Sequence, residues 1–257
     1  MKFLAKINVY NLLIFLLVII SFFGIIKFGI KETLPQLIIA VITCGLIDSL
    51  IDYFEFRRFR VSKSSVITGF FIGLVLSIDQ TWYVPLVASL IAVCGKHIGG
   101  FLMKKLFNYN SHIFNPAIFG IFICLILFNT IDGWWGATNL ILILLLGILL
   151  LYKFKRFHLT LTFLATYFIL SLVFGNNFFN LILDSTIYFF SIFMLTEPKT
   201  SPNSFRGRII YGLLSGVIIA LMINSFAGLF SGYSLILGLL ICNLCVPFLN
   251  KLNFLHK

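Results

Sequence analysis

Three short segments of this sequence gather groups that could do chemistry or hold a ligand. Two of them are Ser111-His112-Ile113-Phe114-Asn115-Pro116-Ala117 and Thr196-Glu197-Pro198-Lys199-Thr200-Ser201-Pro202. Each sets proline beside amide, hydroxyl or carboxyl side chains. Proline starts or stops a helix because it has no backbone N–H. Such a break is either ordinary loop chemistry, or it leaves main-chain groups for a ligand or for neighbouring helices to satisfy. Asn115, Pro116, Thr196, Glu197, Thr200 and Ser201 are therefore the candidate binding residues. The third segment is Asp132-Gly133-Trp134-Trp135-Gly136-Ala137-Thr138. Its two tryptophans suit anchors at a membrane interface, and its small residues would leave the Thr138 hydroxyl accessible.

Single polar residues add to this set. Asp184 lies in an apolar run, where a carboxylate is either a cation or proton relay or the hydrogen-bond partner of a neighbouring helix. Asp48 and Asp52 are four residues apart and share a helix face near Arg57 and Arg58, the pattern of a solvated or ion-paired helix end. His97 reads as structural. Cys242 and Cys245 form a C-x-x-C without a second pair or a nearby histidine, so all five cysteines read as packing residues rather than a metal site.

These groups stand out because their background is so apolar. Of 257 residues, 60% are hydrophobic and 11% charged, and the mean hydropathy is +1.09. Soluble domains average about 45–50% apolar and about 25% charged. A water-soluble globule, a disordered chain, a disulfide scaffold and a nucleic-acid-binding basic domain are all excluded. A transmembrane helix takes about 20 apolar residues, which leaves room for ten spans and short connections. The spans expected are 9–29, 34–53, 64–79, 82–98, 114–130, 138–153, 158–175, 178–196, 208–227 and 229–249. The first reads as an uncleaved anchor. Runs such as Leu140 to Leu151 are apolar on every face, which selects helices over a β-barrel. The expectation is an all-α polytopic protein forming a single integral membrane domain over residues 1–257.

Basic residues set its orientation. With the N-terminus inside, 17 of the 19 Lys and Arg residues fall on the inner side, and only Lys27 and Lys31 lie outside. This bias places both termini in the cytoplasm. The expected location is the plasma membrane. The basic loops could also hold anionic membrane lipid. Gly69 and Gly73, and Gly212 and Gly216, form G-x-x-x-G pairs that allow close helix packing. No P-loop, dinucleotide fingerprint or hydrolytic set is present.

Three stretches together resemble a known family. They are Ser65-Val66-Ile67-Thr68-Gly69 with Gly95-Lys96; Phe114-Asn115-Pro116-Ala117 leading to Gly120; and Thr196 to Pro202 followed by Gly207-Arg208 and Tyr211-Gly212. The chain resembles the RnfD/NqrB family, as a short divergent member. RnfD is a membrane subunit of the Rnf electron-transport complex, and NqrB is its counterpart in the sodium-pumping NADH:quinone oxidoreductase. The resemblance implies two inverted halves of five helices, similar to urea transporters. It also implies FMN esterified through its phosphate to a threonine of an outer loop, here Thr138, with a second flavin left open. Asp132, Gly136, Ala137 and Thr138 fit that pattern, while Trp135 stands at its Ser/Thr position. A second alignment matches Gly133 to Thr138 with a downstream Gly-x-x-Gly-Glu-Thr-Ser element and deletes the flavin loop.

The function so implied is that of a membrane subunit of a redox-driven ion-translocating electron-transport complex. Its partners would be other membrane subunits and flavin-bearing subunits, with no nucleic acid. Asp184, Ser65 and Thr68 are the candidates for its transport path. The alternative is a stand-alone channel or transporter on the same scaffold, without redox activity.

Overall fold

Lipid offers the backbone no hydrogen bonds, so an apolar chain of this kind must satisfy its own N–H and C=O groups within helices. The computed structural model describes residues 7–108, 111–225 and 232–252, and among these there is no strand, only an isolated bridge between Leu76 and Asp132. The basic residues Lys2, Lys6 and Lys257, which entered the orientation argument, lie outside the described residues, as do the facing ends of the last two expected spans.

The helices are α1 (Val9–Phe28), α2 (Ile30–Phe56), α3 (Lys63–Val75), α4 (Tyr83–Phe107) and α5 (Pro116–Phe128). A single 3-10 turn (Trp135–Ala137) follows, then α6 (Leu140–Phe154), α7 (Phe157–Val173), α8 (Phe178–Leu183), α9 (Ser185–Phe189), α10 (Phe205–Asn224) and α11 (Ser234–Leu252). Five of them are long and apolar enough to cross a bilayer: α1, α2, α4, α10 and α11. Shorter apolar helices occupy the other expected positions, which makes this a multi-pass, all-α membrane protein. At 13 residues, α3 and α5 reach only about 20 Å. A hydrocarbon core is about 30 Å thick, so neither crosses it alone.

The chain divides into two compact units, residues 1–98 with 116–138 and residues 99–115 with 139–257. In the first, α3 lies against α2, α1 and α5. A Cβ on Gly69 would come 2.5 Å from Val41 Cα, and one on Gly73 would come 3.0 Å from Leu37 Cα. In the second, α10 lies against α7 and α11. A Cβ on Gly212 would come 2.8 Å from the Leu159 carbonyl, and one on Gly216 would come 3.0 Å from the Phe163 carbonyl. Both G-x-x-x-G pairs therefore do the packing expected of them.

Two spans differ from expectation. Residues 178–196 are not one helix. Asp184 adopts an extended conformation, and its carboxylate accepts from Thr186 N at 2.9 Å, capping α9 and separating it from α8. After Phe189 the winding turns π-helical over Phe190–Met194, with Leu195 N donating to Phe190 O at 2.9 Å. The fourth span does not end at residue 98, since α4 continues to Phe107.

Gly69→Ala is expected to destabilise the protein by about 1–3 kcal/mol, because backbone of α2 blocks the added methyl. Gly99→Ala is the control: its nearest neighbour would be 3.7 Å away, and the change should leave thermal unfolding in detergent unchanged or slightly raised.

Candidate functional site

The Thr196–Pro202 segment begins where the π-helical turn ends, and its polar groups turn inward. Thr196 Oγ1 donates to Ile192 O at 2.5 Å, and Ser201 Oγ donates to Glu197 O at 2.6 Å. The Glu197 carboxylate accepts from Thr200 Oγ1 at 3.0 Å and from Asn115 Nδ2 at 2.7 Å through the same oxygen. The two proline-bearing segments expected to share one side of the membrane thus meet directly. Asn243, on α11, joins both: its Oδ1 accepts from Asn115 N at 2.9 Å, and its Nδ2 donates to Thr200 O and to Tyr211 OH, each at 3.1 Å. Asn115, Thr196, Thr200, Ser201, Tyr211 and Asn243 are all buried, and Glu197 is half-buried. The groups freed by these breaks are taken up by neighbouring helices.

Arg156 enters from the short connection between α6 and α7. It is 4% exposed, and Nη1 donates to Ser201 Oγ. Burial, reinforced by the positive charge of Arg208, pushes its pKa down to about 10. Asn243 and Arg156 were absent from the candidates drawn from sequence. Asn243 did carry a signal, as a lone amide in an apolar span. Arg156 was absorbed into the count of inner-side charges.

The first unit holds two further polar centres. One closes the end of α3. Gln36 Nε2 donates to Gly73 O at 2.8 Å and to Leu76 O at 3.1 Å, while Gly133 N and Trp134 N donate to Val75 O at 2.8 and 3.0 Å. Trp135 Nε1 also donates to Gly73 O at 2.5 Å, and a Cβ on Gly24 would lie 2.6 Å from the Trp135 ring. The two tryptophans are therefore not interfacial anchors. Trp134 and Trp135 are 7% and 3% exposed, because their indole N–H groups serve Asp132 and the broken end of α3. The Asp132 carboxyl is pushed up to about 6, burial outweighing the Trp134 hydrogen bond. Thr138 ends this turn half-buried. Its carbonyl accepts from Lys27 Nζ at 3.3 Å, and its hydroxyl has no hydrogen-bond partner among the described residues.

The other centre surrounds Asp48. This carboxylate does not pair with Arg57 or Arg58. Oδ1 accepts from Lys96 Nζ at 2.7 Å and His97 Nε2 at 2.9 Å, and Oδ2 accepts from Ser62 Oγ at 2.5 Å. Ser62 in turn caps α3 by accepting from Ser65 N at 3.1 Å. Lys96 and His97 thus lie within α4, held there by an acid from α2. Ser65 and Thr68 are buried, and their hydroxyls donate to Ser62 O and Ser64 O at 2.7 and 3.0 Å. Asp184, in the second unit, is half-buried at the helix break it creates. The structure brings Asn115, Glu197, Thr200 and Ser201 together, and leaves Thr138, Asp184 and the Ser65–Thr68 pair as separate places.

Comparison with known proteins covers both compact units. The sequence matches the family described as NQR2, RnfD, RnfE over residues 5–130 and 126–254. The chain belongs to this family. Among curated relatives of this NQR2, RnfD, RnfE chain, the D subunit of an ion-translocating oxidoreductase complex from Methanosarcina acetivorans is 34% identical over 121 residues. Its namesake from Shewanella sediminis is 31% identical over 128 residues, and that of Aliivibrio salmonicida 30% over 110. The first two alignments each cover 46% of this chain, but only 40% and 35% of the relatives.

Two outcomes follow from the first unit. Asp48→Asn leaves the half-buried Lys96 without its counter-charge and should cost about 3 kcal/mol, much of it recovered in Asp48→Asn/Lys96→Met, read by thermal unfolding. Asp132 is ionised less readily folded (about 6) than at its ordinary value of 3.8. Its protonation therefore favours the fold at acid pH, and that contribution is lost as pH rises from about 4 to about 6. Asp132→Asn should flatten the unfolding temperature across this window, measured in one detergent at constant ionic strength.

Proposed function

We propose that this chain is the membrane subunit of a redox-driven, ion-translocating electron-transport complex. It would sit in the plasma membrane with both termini cytoplasmic, beside other membrane subunits and flavin-bearing subunits. The observation that carries this reading is that one family covers both compact units, while the family-like segments Asn115-Pro116 and Thr196 to Pro202 build one buried network. Relatives carrying the name of an ion-translocating complex support the same assignment. Sidedness rests on the distribution of Lys and Arg. Nothing in the comparisons favours a stand-alone channel.

The Thr138 turn suits an FMN phosphoester. Among the described residues its hydroxyl is not committed to another group, it is half-buried rather than sealed, and Lys27 stands on its carbonyl ready to neutralise a phosphate. Bound there, the flavin would supply electron-transfer chemistry that no side chain offers. The chain's part is positional. Trp135 pins the turn to the end of α3, and Trp134 with Asp132 fixes its entry. A short, buried turn holds an attached group at one depth, which transfer between carriers requires. Asp184 is the ion-path candidate in the second unit. Ser65 and Thr68, their hydroxyl protons spent on their own helix, offer only oxygen lone pairs to a path in the first.

Purification of the tagged chain from its native membrane tests both parts. Other membrane subunits should co-purify in fixed ratio, and recovery of the chain alone would contradict the complex. After denaturing electrophoresis the wild-type band should fluoresce as flavin under ultraviolet light, and the Thr138→Ala band should stay dark. A dark wild-type band from an intact complex would remove the covalent tether and leave the assignment to the complex standing.

A further inference from the structure

The second unit gathers two guanidiniums, Arg156 and Arg208, in a part of the chain with few acids. Its only acidic residues are Asp184 and Glu197. Asp184 caps α9, and Glu197 accepts from Asn115 and Thr200. Arg156 is more than nine-tenths buried, yet among the described residues its guanidinium makes one hydrogen bond, to the Ser201 hydroxyl, and reaches no carboxylate. Arg208 stands beside it. Its three bonds go to carbonyl oxygens: Pro202 O at 3.1 Å, Asn203 O at 2.8 Å and Lys155 O at 3.3 Å. The last of these places one guanidinium at the peptide that leads into the other. A buried, unpaired guanidinium is costly to keep, and a second cation raises that cost.

Two neighbouring features bear on what could bind here. Arg156 is the N-cap residue of α7, no side chain caps that helix, and its first turn has no acid. Its positive end therefore has no side-chain anion of its own in the first turn. His158 Nε2 is buried and has no partner among the described residues, while the ring lies against Phe205 at 4.5 Å between centroids. Beside the cluster the chain exposes aromatic surface, with Phe157 36% and Phe205 62% exposed. Positive charge at helix ends next to exposed aromatics is the arrangement that meets a lipid: headgroup phosphate on the guanidiniums, acyl chain along the rings.

We propose that Arg156 and Arg208, at the N-terminus of α7 and with His158 at its side, bind the phosphate of an anionic phospholipid. Arginine suits the task because its planar fork donates two parallel bonds to phosphate oxygens. The bound phosphate would add negative charge beside the two guanidiniums. The site rests on the membrane character of the protein and not on the redox assignment.

The test uses the purified full chain in neutral detergent. Its thermal unfolding is followed with added phosphatidylglycerol, phosphatidylcholine, inorganic phosphate or glycerol phosphate, and lipid affinity is read by native mass spectrometry. Phosphatidylglycerol should raise the unfolding temperature of the wild type, and phosphatidylcholine should not. In Arg156→Met the affinity for phosphatidylglycerol should fall about tenfold or more, the loss of one charge-assisted contact. Without lipid the same variant should unfold no earlier than the wild type, because a buried unpaired charge is gone; a purely structural arginine would give the opposite. If Arg156→Met fails to fold, Arg208→Gln should show the same selective loss of phosphatidylglycerol binding. Equal responses to the two lipids, or an unchanged response in the folded variants, overturn the proposal. If inorganic phosphate or glycerol phosphate alone reproduces the shift, the occupant is a soluble phosphate and the lipid assignment fails.

Discussion

A backbone interrupted inside an apolar layer must find hydrogen-bond partners within the protein, and most of this structure follows from that constraint. The chain breaks at Leu76, at Asn115, at Asp184 and across Thr196 to Pro202. Each break is closed by a side chain sent from elsewhere or by its own cap. Gln36 and Trp135 close the end of α3, Asp184 caps α9, and Asn243 holds Asn115 and Thr200. A net stabilisation of about 1 kcal/mol per bond understates their role, because an unmade bond there costs about 1–3 kcal/mol of desolvation.

The same constraint explains which features were legible in the sequence. Prolines flanked by polar residues announce a break, and alternating basic loops place two such breaks on one side, so the meeting of Asn115 with Glu197 was readable in outline. Partners were not. A single Gln36 or Asn243 in an apolar run indicates that something needs a hydrogen bond, but its partner is 37 or 128 residues away in the chain. Lys96 looked like the end of a span because a charge usually is one. It lies inside α4 because Asp48 neutralises it there. The tryptophans misled for a related reason: indole rings are placed at interfaces by composition, but by tertiary hydrogen bonding when a carbonyl needs a donor. The break at Asp184 was hidden by unbroken apolar sequence on either side.

The candidate functional groups sit where these closures concentrate. In the second unit the network around Glu197 fixes a carboxylate with amide and hydroxyl donors, a rigid polar island suited to holding a defined geometry as charge moves nearby. In the first unit the closure of α3 also shapes the Thr138 turn. The candidate attachment residue is therefore positioned by the same bonds that finish a helix. The proposed ion translocation and electron transfer would both need groups at constant depth, and interrupted, re-bonded helices are a scaffold suited to that.

The central claim is that Asn115 and Glu197 are energetically joined and not merely adjacent. A double-mutant cycle with Asn115→Ala and Glu197→Ala, on the unfolding free energy of the full chain in detergent, measures this directly. The account predicts that the two losses fall short of additivity by about 1 kcal/mol or more. Additivity within about 0.3–0.5 kcal/mol would mean that the two proline segments do not hold each other, and would contradict it.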